Sequence, residues 1–254
     1  MKGPQPFTHD ERLARAHAIA NRFREKFGPD VLAIGLYGSL ARGADGPYSD
    51  IEMFCVVRGE GIDHDYEWSE GAWKAEVNLY SPDTLLDFAR ELDEFWPLSH
   101  GALVNALPLY DPDGLFTTLR EPVFAHSGAD FAEQIVSTIV GELYEFLGKI
   151  RNAIHTGQTA HLAAWAVEMA QFTALVIGLA NRHLYTASAT LFAESLALPD
   201  RPGGYDALCE LVTSGRLSDA ARIAHAADAL WEGLEAWAAA HGWEIHTTLN
   251  DLLE

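Results

Sequence analysis

The stretch VLAIGLYGSLARGADGPYSDIEMFCVV, residues 31–57, decides the fold. Val31 to Tyr37 is a short apolar run that reads as a β-strand, and it runs out at Gly38-Ser39. Ala41 to Asp45 reads as a short helical turn, Gly46-Pro47 as a break, and Asp50 to Val57 as a second strand. On that strand Asp50 and Glu52 project from one face, while Ile51, Met53, Cys55 and Val57 fill the other. A glycine at residue 38 lets the backbone come close to an anion and frees N–H groups to meet phosphate oxygens. Ser39 adds a hydroxyl, and Arg42 offers a planar fork for phosphate. A third strand, Trp73 to Tyr80, sets Lys74, Glu76 and Asn78 on one face, and pairing beside residues 50–57 brings Glu76 to the first two acids. Two carboxylates about 7 Å apart repel by roughly 2 kcal/mol at an effective dielectric near 20. A divalent cation removes that repulsion. An oxygen-only donor set suits Mg²⁺, with substrate phosphates completing the octahedron. A strand-end turn, an exposed edge strand and a solvated acid are the ordinary readings of these features taken singly. Their order and spacing together predict one site for a nucleoside triphosphate and its metal.

Other nucleotide and nucleophile signatures are missing. There is no Gly-Lys-Ser/Thr and no GxGxxG, and Tyr37 stands where a GxSxG elbow needs glycine. Among the eleven histidines, those at 9, 64, 100, 155, 161, 183, 225, 241 and 246 show no ligand spacing, and no CxxC or HExxH occurs. The two cysteines, Cys55 and Cys209, lie in apolar contexts and fit a reducing cytoplasm. Met1 to Arg12 has no hydrophobic leader segment, and no apolar run reaches about 18 residues unbroken, so no membrane partner is expected. With 37 acidic and 17 basic residues the net charge is −20, which disfavours nucleic acid as a partner. A solubilising surface and a polycationic substrate both fit that charge. An anionic nucleotide then needs metal ions and local bases.

Elsewhere, Thr8 and Glu11 form a capping box for a helix running to about Phe27, ended by Gly28-Pro29. Ser81-Pro82-Asp83 starts another, to about Leu92. Leu103 to Tyr110 is helix or strand by pattern. After Ser127 strand signals nearly vanish, and helices are expected at about 129–155, 160–184, 204–213 and 218–241. Ser218 is the expected cap of the last, and Gly242 its end. The helix at 160–184 is apolar around most of its circumference, so burial is expected, including at a subunit interface. The fold class is α+β: a mixed sheet flanked by helices over 1–127, then a helical bundle over 128–254. Glu142, Glu145 and Lys149 share one stripe of the 129–155 helix, where the plain reading is an i,i+4 ion pair.

The segments YGSLARG, SDIE and WKAEVN resemble the nucleotidyltransferases of the DNA polymerase beta superfamily. AIGLYGSLAR, DGPYSDIEM, EWSEGAWKAEVN, WPLSHG, GKIRN and PGGYDALC resemble, more closely, the kanamycin-type aminoglycoside 4'-O-nucleotidyltransferases, over nearly the whole chain. The resemblance implies that Gly38, Ser39, Arg42 and Ser49 hold ATP phosphates and that Asp50 and Glu52 bind Mg²⁺. It implies that Glu67, Lys74, Glu76 and Glu142 face the aminoglycoside, Glu76 lying near metal or drug. It also implies that Glu145 is the general base, that Lys149 contacts phosphate, and that a homodimer shares each active site between subunits. Residue 41 is Ala, and His246 to Glu254 diverge from the family pattern, so no role is carried over there. The competing readings are a nucleotidyltransferase acting on a protein or another acceptor, and a non-catalytic nucleotide-binding dimerisation module.

Overall fold

The structure, a computed structural model, describes residues 3–253; Met1, Lys2 and Glu254, at the ends of the two expected domains, lie outside the described residues. The chain forms two compact units. One comprises the chain up to Glu91 together with Ser99–His126, the other Leu92–Leu98 together with Ser127 onward.

The first unit is built on a five-stranded mixed sheet. Its strands are β1 (Val31–Leu36), β2 (Ile51–Val57), β3 (Asp63–Ser69), β4 (Lys74–Tyr80) and β5 (Leu107–Tyr110), in the order β3-β4-β2-β1-β5. Only β2 and β4 run parallel; the other neighbours are antiparallel. Period-two alternation sorts the faces. Ile51, Met53, Cys55 and Val57, with Ala75, Val77 and Leu79, are buried together with Ala16, Ile19 and Ala20 of helix α1 (His9–Phe27). The polar set of β2 and β4 therefore emerges on the opposite face. There Phe54 stacks on Tyr37, with ring centroids 4.4 Å apart. Helix α2 (Gly38–Ala41) leaves β1, and α3 (Pro82–Ala89) follows β4.

Several expectations are corrected. The helical turn is not at Ala41 to Asp45 but over Gly38–Ala41, and Asp45 lies in the loop that follows. Strand β3 escaped the sequence reading because DHDYEWS carries three acids, as suits an edge strand facing water. The ambiguous 103–110 segment is a helical turn, Gly101–Val104, and then β5.

In the second unit the long expected helix is interrupted. Helix α4 (Gly128–Thr138) passes through a π-helical turn, Ile139–Leu143, into α5 (Tyr144–Thr156). Ile135, Ile139, Leu143, Phe146 and Ile150 are all buried across it. Helix α6 (Leu162–Ala180) is shorter than expected, and it is long and apolar enough to cross a membrane. Most of it is buried inside this unit instead, so protein side chains take the place lipid would occupy. The helix α7 (Leu191–Ala197) was not foreseen, whereas α8 (Tyr205–Thr213) matches its expected span. The cap of α9 (Ala220–His241) is Asp219 rather than Ser218, because the Asp219 carboxylate accepts the N–H groups of Ala221 and Arg222. Trp96 anchors Leu92–Leu98 in this unit, fully buried and edge-on to Phe131.

Gly233, inside α9, touches the backbone of Gly203, and any Cβ at 233 would collide with the Gly203 carbonyl. Gly148, in α5, faces open space. Gly233→Ala is expected to destabilise by about 1–3 kcal/mol. Gly148→Ala is expected to stabilise by about 0.5–1 kcal/mol. Thermal unfolding of the two variants checks both signs, and an unchanged Gly233→Ala would contradict the close approach.

Candidate active site

Gly38 has φ 69°, a left-handed conformation that other residues adopt at a cost, and the Glu52 carboxylate lies against its Cα where a Cβ would stand. Glycine at this position thus serves two ends: the turn out of β1, and the approach of a carboxylate to the strand–helix junction. Asp50 sits one residue before β2, and Glu52 is the second residue of that strand.

Strand register assembles the rest. Glu52 stands opposite Glu76 in the parallel β2–β4 pair, and Glu76 stands opposite Glu67 in the β3–β4 hairpin. Three glutamates therefore lie in one row across three strands, with Asp50 at one end of β2. Lys74 is the resident cation of this row. Its Nζ lies 2.6 Å from Glu67, 3.7 Å from Asp50 and 3.9 Å from Glu76. The hydrogen bond with Glu67 comes first among the causes that hold the Lys74 ammonium above its ordinary range, ahead of the charges of Asp50 and Glu76. Burial, and then the negative charges of Asp50 and Glu76, push Glu52 up to about 7, against the pull of Arg42 and Lys74. Arg42 is exposed at the C-terminal end of α2.

One residue to which the sequence assigned no role, Tyr37, completes the constellation. The Tyr37 hydroxyl donates a short hydrogen bond to Glu76 and accepts one from Asn78 Nδ2 at 3.1 Å. Burial, followed by the hydrogen bond to Glu76 and the charges of Glu76 and Glu52, drives the Tyr37 phenol far above its usual range, so it stays a donor. The available signal was its place directly before Gly38-Ser39. The Ser49 hydroxyl accepts the Gly46 N–H at 3.0 Å, which leaves its own proton free to donate.

Among the described residues no group of three or more His, Cys, Asp or Glu side chains is arranged to hold a metal ion by itself. The donor set nonetheless fits a hard divalent cation. Asp50 and Glu52 supply oxygen only, Glu52 is raised by burial and then by the charges of Asp50 and Glu76, and substrate phosphates can fill the remaining positions.

Glu142, Glu145 and Lys149 belong to the second unit. Glu142 lies within the π turn, and Glu145 pairs with Lys149 at 2.7 Å. That hydrogen bond, more than the neighbouring charges of Glu145, Glu168 and Glu142, raises the Lys149 ammonium.

Residues 17–100 match the nucleotidyltransferase domain family and residues 113–244 the KNTase C-terminal domain family. Two proteins named aminoglycoside nucleotidyltransferase (4'), from Staphylococcus aureus and from a Bacillus species, are each 41% identical to this chain over 245 residues, covering 96% of it and 97% of theirs. A nucleotidyltransferase-like protein from Exiguobacterium sibiricum shares the fold, with a TM-score of 0.52 at 11% identity, over 89% of this chain and 77% of that one.

The raised Glu52 makes a test of the row's electrostatics. Its protonated form is favoured by folding, so this contribution to stability is full below about pH 4.5 and lost as pH rises through about 7. In EDTA, Glu52→Gln is expected to be more stable than the parent at pH 8, by on the order of 2 kcal/mol, and level with it near pH 5. Urea unfolding at the two pH values measures the difference, and a pH-independent difference would contradict the burial of Glu52 among like charges.

Proposed function

The chain belongs to the aminoglycoside nucleotidyltransferase (4') family, and on that footing we propose that it transfers AMP from Mg-ATP to the 4'-hydroxyl of aminoglycosides such as kanamycin and tobramycin, releasing pyrophosphate. It acts as an antibiotic-resistance enzyme of the cytoplasm, with no nucleic acid or membrane partner. The observation that carries this reading is the row of carboxylates beside the Gly38-Ser39 turn.

In the proposed mechanism residues 1–127 bind the nucleotide, and residues 128–254 supply the base and the dimer contacts. Backbone N–H groups at Gly38 and Ser39, the Ser39 and Ser49 hydroxyls, and the Arg42 guanidinium hold the triphosphate. Asp50 and Glu52 hold Mg²⁺, which when bound polarises the α-phosphate and stabilises the departing pyrophosphate. Glu145 takes the proton from the attacking 4'-hydroxyl onto a carboxylate oxygen. Lys149 and Arg42 offset charge that develops on the phosphate oxygens during in-line attack. Glu67, Glu76 and Glu142 bind ammonium groups of the aminoglycoside, and an incoming ammonium can take over the carboxylates that Lys74 now neutralises. That chemistry gives a purpose to the net charge of −20. In the homodimer, Glu145 and Lys149 of one subunit serve the nucleotide site of the other.

Mass spectrometry of kanamycin and tobramycin after incubation with Mg-ATP is expected to show addition of one adenylyl group. The Glu145→Gln variant should turn over about 10²–10⁴-fold more slowly. No adenylylated drug from the parent would remove the substrate assignment, and a fully active Glu145→Gln would remove the base. Sharing of sites has its own readout. Asp50→Asn and Glu145→Gln, each inactive alone, should recover about a quarter of parent activity when unfolded and refolded as a mixture, because a randomly assorted isologous dimer restores that share of intact sites. No recovery would mean that each subunit works by itself.

A further inference from the structure

The loop between Arg42 and Asp50 carries residues assigned above to the phosphates and the metal, yet it has little apolar packing of its own. Gly43, Ala44, Gly46, Pro47 and Tyr48 are all exposed. The Phe7 N–H donates to the Pro47 carbonyl at 2.8 Å, and most of the remaining grip comes from one side chain of a remote helix. Arg12, on the first turns of α1, is 2% exposed. Its Nε donates to the Ser49 carbonyl at 2.9 Å, its Nη2 to the Pro47 carbonyl at 2.9 Å and to the Phe7 carbonyl at 3.3 Å, and its Nη1 to the Asp45 carboxylate. The Asp45 side chain is 1% exposed and also meets His9 Nδ1 at 2.6 Å. A buried guanidinium thus directs nearly all its donors at two backbone oxygens and one carboxylate of a single loop, and at the segment that precedes its own helix.

The Ser49 carbonyl belongs to the peptide that joins Ser49 to Asp50. Fixing its oxygen fixes the plane of that peptide and therefore the direction in which Asp50 leaves the chain. A planar fork can hold divergent carbonyls and a carboxylate at once, whereas an ammonium is a point charge on a flexible stem. We infer that Arg12, paired with Asp45, is a positioning residue that presets Asp50 and Ser49 for the metal–nucleotide complex. This rests on the nucleotidyl-transfer reading given above. Arg12 touches no reacting group; it acts through the backbone of Ser49. Glu67 and Glu76 are set by the pairing of β3 and β4 and meet Asp50 only through Lys74, so aminoglycoside binding should depend on Arg12 far less than nucleotide binding does.

The test uses the full-length protein and two variants. Arg12→Lys keeps a cation beside Asp45 but loses the fork. The double variant Arg12→Met/Asp45→Leu removes both charges together, so that no unpaired buried ion is left. Folding is checked by circular dichroism. Binding is then titrated with Mg²⁺ plus a methylene-bridged, non-hydrolysable ATP analogue, and separately with kanamycin. In the folded variants the affinity for the metal–nucleotide pair is expected to fall at least tenfold, in line with the loss of an outer supporting contact, while kanamycin affinity stays within twofold. In steady state the KM for Mg-ATP should rise and the KM for kanamycin hold. Nucleotide affinity within twofold of the parent in a folded variant would overturn the inference. Equal losses for nucleotide and kanamycin, or failure of both variants to fold, would also overturn it, since Arg12 would then serve general stability. A parent protein that binds no metal–nucleotide pair would instead overturn the nucleotidyl-transfer reading on which the inference stands.

Discussion

Like charges placed side by side on a sheet are the constraint around which the first unit is organised. Glu52, Glu76 and Glu67 occupy facing positions on three neighbouring strands, with Asp50 at the end of one. No arrangement of carboxylates so close together is comfortable without positive charge among them. Lys74 supplies some of it and Arg42 draws on Glu52, yet burial first, and then the charges of Asp50 and Glu76, keep Glu52 raised. A fold selected for stability alone would have no reason to hold this row next to a glycine–serine turn. A divalent ion shared with a nucleotide's phosphates would give it one, and so would a polyamine substrate.

The remaining features of that unit keep the row in place. The opposite sheet face is apolar and closed by α1, which makes the sheet a rigid platform. Tyr37 ties Glu76 to the end of β1, and Gly38 accommodates the Glu52 carboxylate directly. Each of these contacts runs between segments distant in sequence. The proposed site therefore depends on the fold as a whole rather than on one loop, as preorganised electrostatic sites require. The second unit follows a different logic. Its core is centred on a helix apolar enough for a membrane but mostly buried in protein, and a π turn lies immediately before Tyr144 and Glu145, where two helices join.

Much of this was legible in the chain. The capping box at Thr8, the strand beginning at Val31, the alternation in Asp50–Val57 and Trp73–Tyr80, and the change to helical spacing after Ser127 are all local signals, and the elements stand where those signals fall. What was missed had weak or conflicting local signals. β3 is polar because it is an edge, the helical turn begins at Gly38 itself, and Asp219 displaces Ser218 as a cap because its carboxylate reaches two N–H groups.

By itself, then, the sequence determined which side chains share a face, because alternation along a strand is a property of covalent geometry and does not depend on neighbours. It also determined that the backbone at residue 38, a glycine, can come close to an anion. Only the tertiary structure decided which acids face each other, how far burial raises Glu52, and that Tyr37 and Arg12 hold Glu76 and the Ser49 peptide. Register, burial and those long-range hydrogen bonds depend on how segments dozens of residues apart are brought together, and no spacing within one segment encodes that.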